Sequence, residues 1–153
     1  MLNQITNIWV DADSCPVKEE ITEISKLYSA VPKFITTINH FSLNLEGAWK
    51  FLDDGSQSVD IYIMNHAKPG DIVISQDLSL AVLLTGRGVY VITPRGKLIS
   101  EEDAEEIMFN KHLRQKTLKK KGKWKGPSSF TNKDREAFRY VFKKTLANNE
   151  GIQ

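Results

Sequence analysis

The apolar residues fall in short blocks that alternate between strand-like runs and helix-like spacing. Ile5, Ile8, Trp9 and Val10 form a first run that stops at Asp11, which predicts a short buried strand. Pro16 suits the first turn of a helix, where a missing N–H costs nothing. Val17, Ile21, Ile24, Leu27 and Tyr28 then recur at helical spacing, with Glu19, Glu20 and Glu23 on the exposed face. Pro32 interrupts, and Phe34-Ile35-Thr36-Thr37-Ile38 has the composition of a second strand. Residues 40–57, with Gly47 and Asp53-Asp54-Gly55-Ser56, predict a loop holding a short helical or strand piece. Val59, Ile63 and Ala67 share a helical face, and Pro69-Gly70 marks a turn. Asp71-Ile72-Val73-Ile74-Ser75 is a third strand, apolar on both faces as in parallel sheets covered by helices. A helix over Asp77–Leu84 follows and ends at Gly86 and Gly88. Val89–Ile92 is a fourth strand, closed by Pro94-Arg95-Gly96. Ser100-Glu101-Glu102-Asp103 resembles a capping box and opens a helix to about Leu113. Residues 116–130 are Lys-rich, with Gly122, Gly126 and Pro127, and have the composition of an exposed, mobile segment. Thr131-Asn132-Lys133-Asp134 then caps a last helix over 131–147 that carries Ala137, Phe138, Val141, Phe142 and Leu146.

Strand–helix alternation of this kind predicts one α/β domain over 1–153, a three-layer sandwich with a mostly parallel central sheet. Right-handed crossovers put helices on both faces. The expected strand order is second, first, third, fourth. The direction of winding then reverses between the first and third strands, and ligands bind at the carboxyl ends beside such a switch point.

Composition fits that picture. The 153 residues are 41% hydrophobic and 26% charged, enough apolar material for a sizeable core. No apolar run approaches the ~20 residues of a membrane helix, so no membrane partner is expected. Met1-Leu2-Asn3-Gln4-Ile5 lacks the basic stretch and long apolar run of a secretory leader. Cys15, the single cysteine, excludes an internal disulfide and any multi-cysteine zinc site, and the cytoplasm is the expected compartment. Net charge is only +2, but residues 111–144 hold 13 of the 21 Lys and Arg against two acids, Asp134 and Glu136. Such asymmetry points to a polyanion partner; a solvated basic face is the plain alternative.

Acidic residues mark the strand ends. Asp11, with Asp13 nearby, ends the first strand, and Asp77 follows the third by two residues. Asp60 opens the helix leading to that strand. Carboxylates brought together repel, and one stays protonated unless a cation joins them. Oxygen-only ligation suits Mg²⁺ or Mn²⁺ rather than zinc. Asp11 and Asp77 are the expected direct ligands, with Asp13 and Asp60 completing the shell or orienting water. Beside a basic arm, such a site is suited to phosphodiester hydrolysis. Each residue also has a plain reading: Asp11 and Asp13 as Asx-turn residues, Asp77 as an N-cap, Asp60 as a partner of the helix dipole. Asp71 lies at the wrong end of its strand and is left out. Cys15, near a helix N-terminus, is either a favoured thiolate or a small packing residue in a tight turn. Trp124, among Lys119, Lys120, Lys121, Lys123 and Lys125, could stack on a base or anchor the segment to the core.

Four ordered blocks resemble the uncharacterised bacterial YaiI/YqxD family: Val10-Asp11-Ala12-Asp13-Ser14-Cys15-Pro16-Val17-Lys18, the stretch Gly70–Ala81, Thr93-Pro94-Arg95-Gly96, and Gly126-Pro127 followed by Asp134-Arg135-Glu136-Ala137-Phe138. The resemblance implies a PIN-like fold, shared with metal-dependent ribonucleases. In that fold's pattern Asp11, Asp60 and Ser75-x-Asp77 match the nuclease acids, and Gln57 stands where the family often has another acid. Ser75, Arg95 and Arg135, inside the family-like blocks, become candidate substrate contacts, with surface ion pairing the plain alternative for the two arginines, and nucleic acid, RNA before DNA, the expected partner. Two other functions fit the same residues. A haloacid-dehalogenase-like phosphatase would use Asp11 as nucleophile, Asp13 as proton shuttle and Ser75, at the end of the third strand, as its second motif on the phosphate, but lacks an acidic pair after the fourth strand. A non-catalytic RNA-binding module would keep only the fold and the basic arm.

Overall fold

The computed structural model describes residues 6–13, 15–37, 47–53, 58–121 and 128–149, with backbone alone for 114–121. In chain order the elements are β1 (Ile8–Asp11), α1 (Lys18–Leu27), β2 (Pro32–Thr37), β3 (Ala48–Leu52), α2 (Val59–His66), β4 (Ile72–Ile74), α3 (Leu78–Thr85), β5 (Tyr90–Ile92), α4 (Glu101–Lys121) and α5 (Asn132–Asn149). The strands form a five-stranded sheet in the order β3-β2-β1-β4-β5. Every pairing between them is parallel.

Strict alternation builds the layers. Ile8, Val10, Ile72 and Ile74 point to one core, shared with Val17, Ile21 and Ile24 of α1 and with Phe138, Phe142 and Leu146 of α5. Trp9 and Val73 point to the other, shared with Ile63 of α2 and with Leu80, Ala81 and Leu84 of α3. Helices therefore cover both faces of the central strands, as continuous apolar runs require. The expected order of four strands is present as β2-β1-β4-β5, and the switch point lies between β1 and β4.

One open reading becomes definite and one element differs from expectation. β3 is the short strand piece expected within residues 40–57; residues 40–46 and 54–57 lie outside the described residues. It is an edge strand with exposed Ala48 and Lys50 between half-buried Trp49 and Phe51, so it has no apolar run to betray it. Stacking of Trp49 on Phe34, with ring centroids 4.7 Å apart, holds it to β2. α4 runs to Lys121 instead of ending near Leu113. Its Leu, Arg, Gln and Lys residues are strong helix formers, and basic residues near a helix C-terminus are stabilised by the macrodipole. The stretch from 116 to 121 is therefore helix and not loop.

The capping boxes form as read. Ser100 N donates to Asp103 Oδ2 at 2.9 Å and Asp103 N to Ser100 Oγ at 3.0 Å. These bonds hold the Asp103 carboxyl below its usual range. Thr131 and Asp134 make the same reciprocal pair before α5, at 2.9 and 3.3 Å. After β5 the chain doubles back: Leu98 bridges Ile92 antiparallel, and Ile99 N donates to Val91 O. That return carries the chain towards the amino edge of the sheet, so α4 climbs back to the carboxyl edge. There Lys111 Nζ donates to Ser79 Oγ at 2.9 Å. Among the described residues no helix is long and apolar enough to cross a membrane.

Asp71 closes the amino edge. Only 5% exposed, it accepts Trp9 Nε1 at 3.0 Å and Lys68 N at 2.9 Å on Oδ2, and Asn7 N at 3.3 Å on Oδ1. It is a structural acid at the end of the sheet away from the switch point.

Candidate metal and active site

Asp11 is the last residue of β1, half-buried and flanked by β2 and β4. Directly after β4 lies Ser75, 1% exposed. Its hydroxyl donates to Asp11 Oδ2 at 3.1 Å and accepts Asp77 N at 3.0 Å. A single serine thus ties the two predicted ligands together. Asp77 has extended backbone and caps α3: its Oδ1 accepts Ser79 N at 3.0 Å and Leu80 N at 3.1 Å. The N-cap reading of Asp77 is therefore correct. Asp13 is anchored to the end of β2, where its Oδ1 accepts the Thr36 hydroxyl and Thr37 N. Asp60 sits half-buried in the first turn of α2.

The electrostatics centre on Asp11. Burial pushes its carboxyl above the ordinary value of 3.8, and the Ser75 hydrogen bond works against that rise. The charges of Asp13, Asp77 and Asp60 each push it further up. The other three predicted catalytic acids therefore all act on Asp11 at the switch point. They form no closed cage with it: among the described residues no three His, Cys, Asp or Glu side chains lie close enough to hold one ion. The donor chemistry, hard oxygens in mutual repulsion, fits a cation such as Mg²⁺, which is commonly held by one or two carboxylates with water and phosphate completing its shell.

The remaining predicted residues divide. Ser75 faces inward, with its hydroxyl engaged by Asp11 and Asp77. Arg95 and Arg135 are committed to structure. Arg95 Nη1 pairs with Asp134 Oδ2 at 3.1 Å, and its Nη2 donates to Ser128 O. Arg135 Nη1 donates to Pro16 O at 2.8 Å and to Glu20 Oε2 at 3.1 Å. Both guanidiniums lie over the Phe130 ring. Gly96, at φ +90°, completes this clasp: a Cβ there would stand 2.5 Å from the Ala137 carbonyl carbon, so only glycine lets the turn seat on α5. The side chains of Lys119, Lys120 and Lys121, and all of Lys123, Trp124, Lys125 and Gln57, lie outside the described residues. Cys15 is 7% exposed and packs as a small core residue, and burial pushes its thiol up to about 11, away from the thiolate form.

Sequence reasoning missed two contributors. Thr36-Thr37 anchors Asp13; its place at the end of the strand expected beside the first was the available signal. Lys111 meets the first turn of α3 only because α4 doubles back, and no local pattern announces that.

The comparisons with known proteins agree with one another. The family model described as "Uncharacterized BCR, YaiI/YqxD family" matches residues 9–148. The chain is 40% identical over 152 residues to a UPF0178 protein of Bacillus cytotoxicus, covering 99% of each chain. It is 39% identical over 137 residues to a UPF0178 protein of Listeria monocytogenes, covering 88% of this chain and 91% of that one. A UPF0178 protein of Halalkalibacterium halodurans is 35% identical over 150 residues, covering 97% and 96%. No solved structure matches the chain significantly. Family model and relatives alike span almost the whole chain, and on that ground this protein belongs to the uncharacterised bacterial YaiI/YqxD family.

Proposed function

We propose that this chain is a divalent-cation-dependent nuclease that acts on RNA in preference to DNA. The observation that carries the reading is the condition of Asp11. It ends a central strand at the switch point, and burial and three neighbouring acids all disfavour its charge. Stability gains nothing from that crowding, whereas a bound cation relieves it. Asp11 and Asp77 would hold the ion, with water and phosphate completing its shell and Asp60 acting through water. Asp13, fixed by Thr36 and Thr37, would orient the attacking water. Once bound, Mg²⁺ or Mn²⁺ would supply a hydroxide near neutral pH and neutralise charge developing on the phosphodiester. Ser75 acts by holding the Asp11 rotamer and the turn into α3.

The basic half of α4 supports a polyanionic substrate. Lys111 stands at the first turn of α3, and from there the helix continues for ten residues that include Arg114, Lys116, Lys119, Lys120 and Lys121. With Lys123 and Lys125 these would hold the phosphate backbone, and Trp124 would stack a base. The resemblance to PIN-like ribonucleases points the same way as an analogy of fold. The phosphatase alternative loses ground, because the Ser75 hydroxyl it would offer to phosphate is turned onto Asp11. The test is cleavage of single-stranded RNA by purified protein with Mn²⁺ or Mg²⁺. Turnover should need the metal, fall steeply with salt and vanish in Asp11→Asn; undiminished cleavage by that variant would overturn the assignment.

A further inference from the structure

One lysine reaches the rim of the carboxylate site from a distant element. Lys111 lies midway along α4 and owes its position to the doubling back of the chain after β5. Its Nζ donates to Ser79 Oγ at 2.9 Å, although the two residues stand 32 positions apart. Ser79 N in turn donates to Asp77 Oδ1 at 3.0 Å. Joined through one serine, these two bonds keep the ammonium within about 10 Å of the Asp77 carboxylate. Among the described residues no acid forms an ion pair with Lys111. Arg95 and Arg135 differ in this respect, since Asp134 and Glu20 hold them. Lys111 and Ser79 are both exposed, and a solvent-open bond between two such side chains adds little to the fold. The charge has a clearer use. A phosphate approaching Asp11 and Asp77 meets the same acids that crowd Asp11, and a fixed cation beside them offsets that repulsion.

We propose that Lys111 and Ser79 form a phosphate seat on the α3 side of the carboxylate site, which takes one phosphate of a single-stranded RNA. An ammonium has three donors, and Ser79 takes one of them. The Ser79 hydroxyl accepts from Lys111, which leaves its own proton to be donated elsewhere. A seated phosphate accepts from both groups. It exchanges the neutral acceptor of Lys111 for a charged one, and charge-assisted bonds are the stronger kind. The choice of RNA as ligand rests on the nuclease reading. The seat adds to that reading a hold on substrate at the acids themselves, separate from the lysines at the end of α4.

The experiment measures binding of a fluorescein-labelled single-stranded RNA by anisotropy, without metal and across a range of salt, and then cleavage of the same RNA with Mn²⁺. Lys111→Ala is compared with Lys111→Arg and with Lys68→Ala, which removes an exposed lysine just before β4, at the amino edge of the sheet. Lys111→Ala should bind about 10-fold more weakly at low salt, and its slope of log affinity against log salt should be shallower by about 0.7, the share of one single-strand phosphate. Lys111→Arg should keep most of the affinity, and Lys68→Ala should match the wild type in both respects. Mn²⁺ binding by calorimetry should survive Lys111→Ala, with far-UV circular dichroism confirming that each variant is folded. If the wild type cleaves RNA and Lys111→Ala binds it equally well, the seat is overturned and the nuclease reading stands. Equal losses in Lys111→Ala and Lys68→Ala would also overturn the seat. RNA binding that needs Lys111, with no Mn²⁺-dependent cleavage by the wild type, would uphold the seat and overturn the nuclease reading. A wild type that binds no RNA at low salt would overturn both.

Discussion

The two ends of the sheet hold buried acids in opposite conditions. At the amino edge, Asp71 is 5% exposed and accepts donors from Asn7, Trp9 and Lys68. At the carboxyl edge, Asp11 accepts the Ser75 hydroxyl and stands among Asp13, Asp77 and Asp60, whose charges oppose its own. The first arrangement is what a fold does with a carboxylate it needs for its own stability, since a buried polar group is kept only if it is bonded. The second leaves electrostatic repulsion in place, which is how functional acids come to be poised. Location adds to the contrast, because only the second group lies at the switch point where sheets of this kind bind ligands.

The largest expected effect separates the two ends by activity. Asp11→Asn should lower metal-dependent cleavage of RNA on the order of 100-fold or more, while the variant remains folded. Asp71→Ala should do the reverse. It strands the Trp9 indole N–H and two backbone N–H groups, and should cost about 3 kcal/mol in urea unfolding with catalysis by the folded fraction preserved. Next comes the link between the two ligands. Ser75→Ala should weaken Mn²⁺ binding about 10- to 100-fold by calorimetry, as loss of a group that orients a ligand does. The pH dependence of stability should also differ. The Asp11 carboxyl is raised, so the folded protein holds that proton more tightly than the unfolded chain. Its contribution is therefore favourable at low pH and is lost as pH climbs from about 4 through the raised value. Without metal, Asp11→Asn should match or exceed wild-type stability at neutral pH and lose this pH dependence. The smallest effect tests Asp77. Asp77→Asn keeps an N-cap residue and should change stability by less than about 0.5 kcal/mol, yet it should impair Mn²⁺ binding; equal binding would reduce Asp77 to a cap.

Much of this contrast was legible before any coordinates. Ile8–Asp11 and Ile72–Ile74 are continuous apolar runs, and such runs betray central parallel strands, so the switch point followed from strand order alone. Asp11 and Asp77 were then placed together by topology, and Asp71 was set aside because it precedes its strand. β3 was legible only as a short helical or strand piece, because an edge strand buries only alternate residues and keeps lysine on its open side. The far half of α4 was misread because its lysines suggested a solvated loop, although lysine is also a good helix former. Arg95 and Arg135 read equally as phosphate contacts or as ion-pair partners in a linear reading. Their service to Asp134, Glu20 and the Pro16 carbonyl depends on pairings between residues far apart in the chain, to which local pattern is blind.

The most direct test of the central claim is anomalous diffraction from a crystal soaked in Mn²⁺. The account predicts a peak at the carboxyl edge between Asp11 and Asp77, absent from Asp11→Asn crystals. No peak there under conditions that saturate the protein with Mn²⁺, or a peak bound at Asp71 instead, would contradict it.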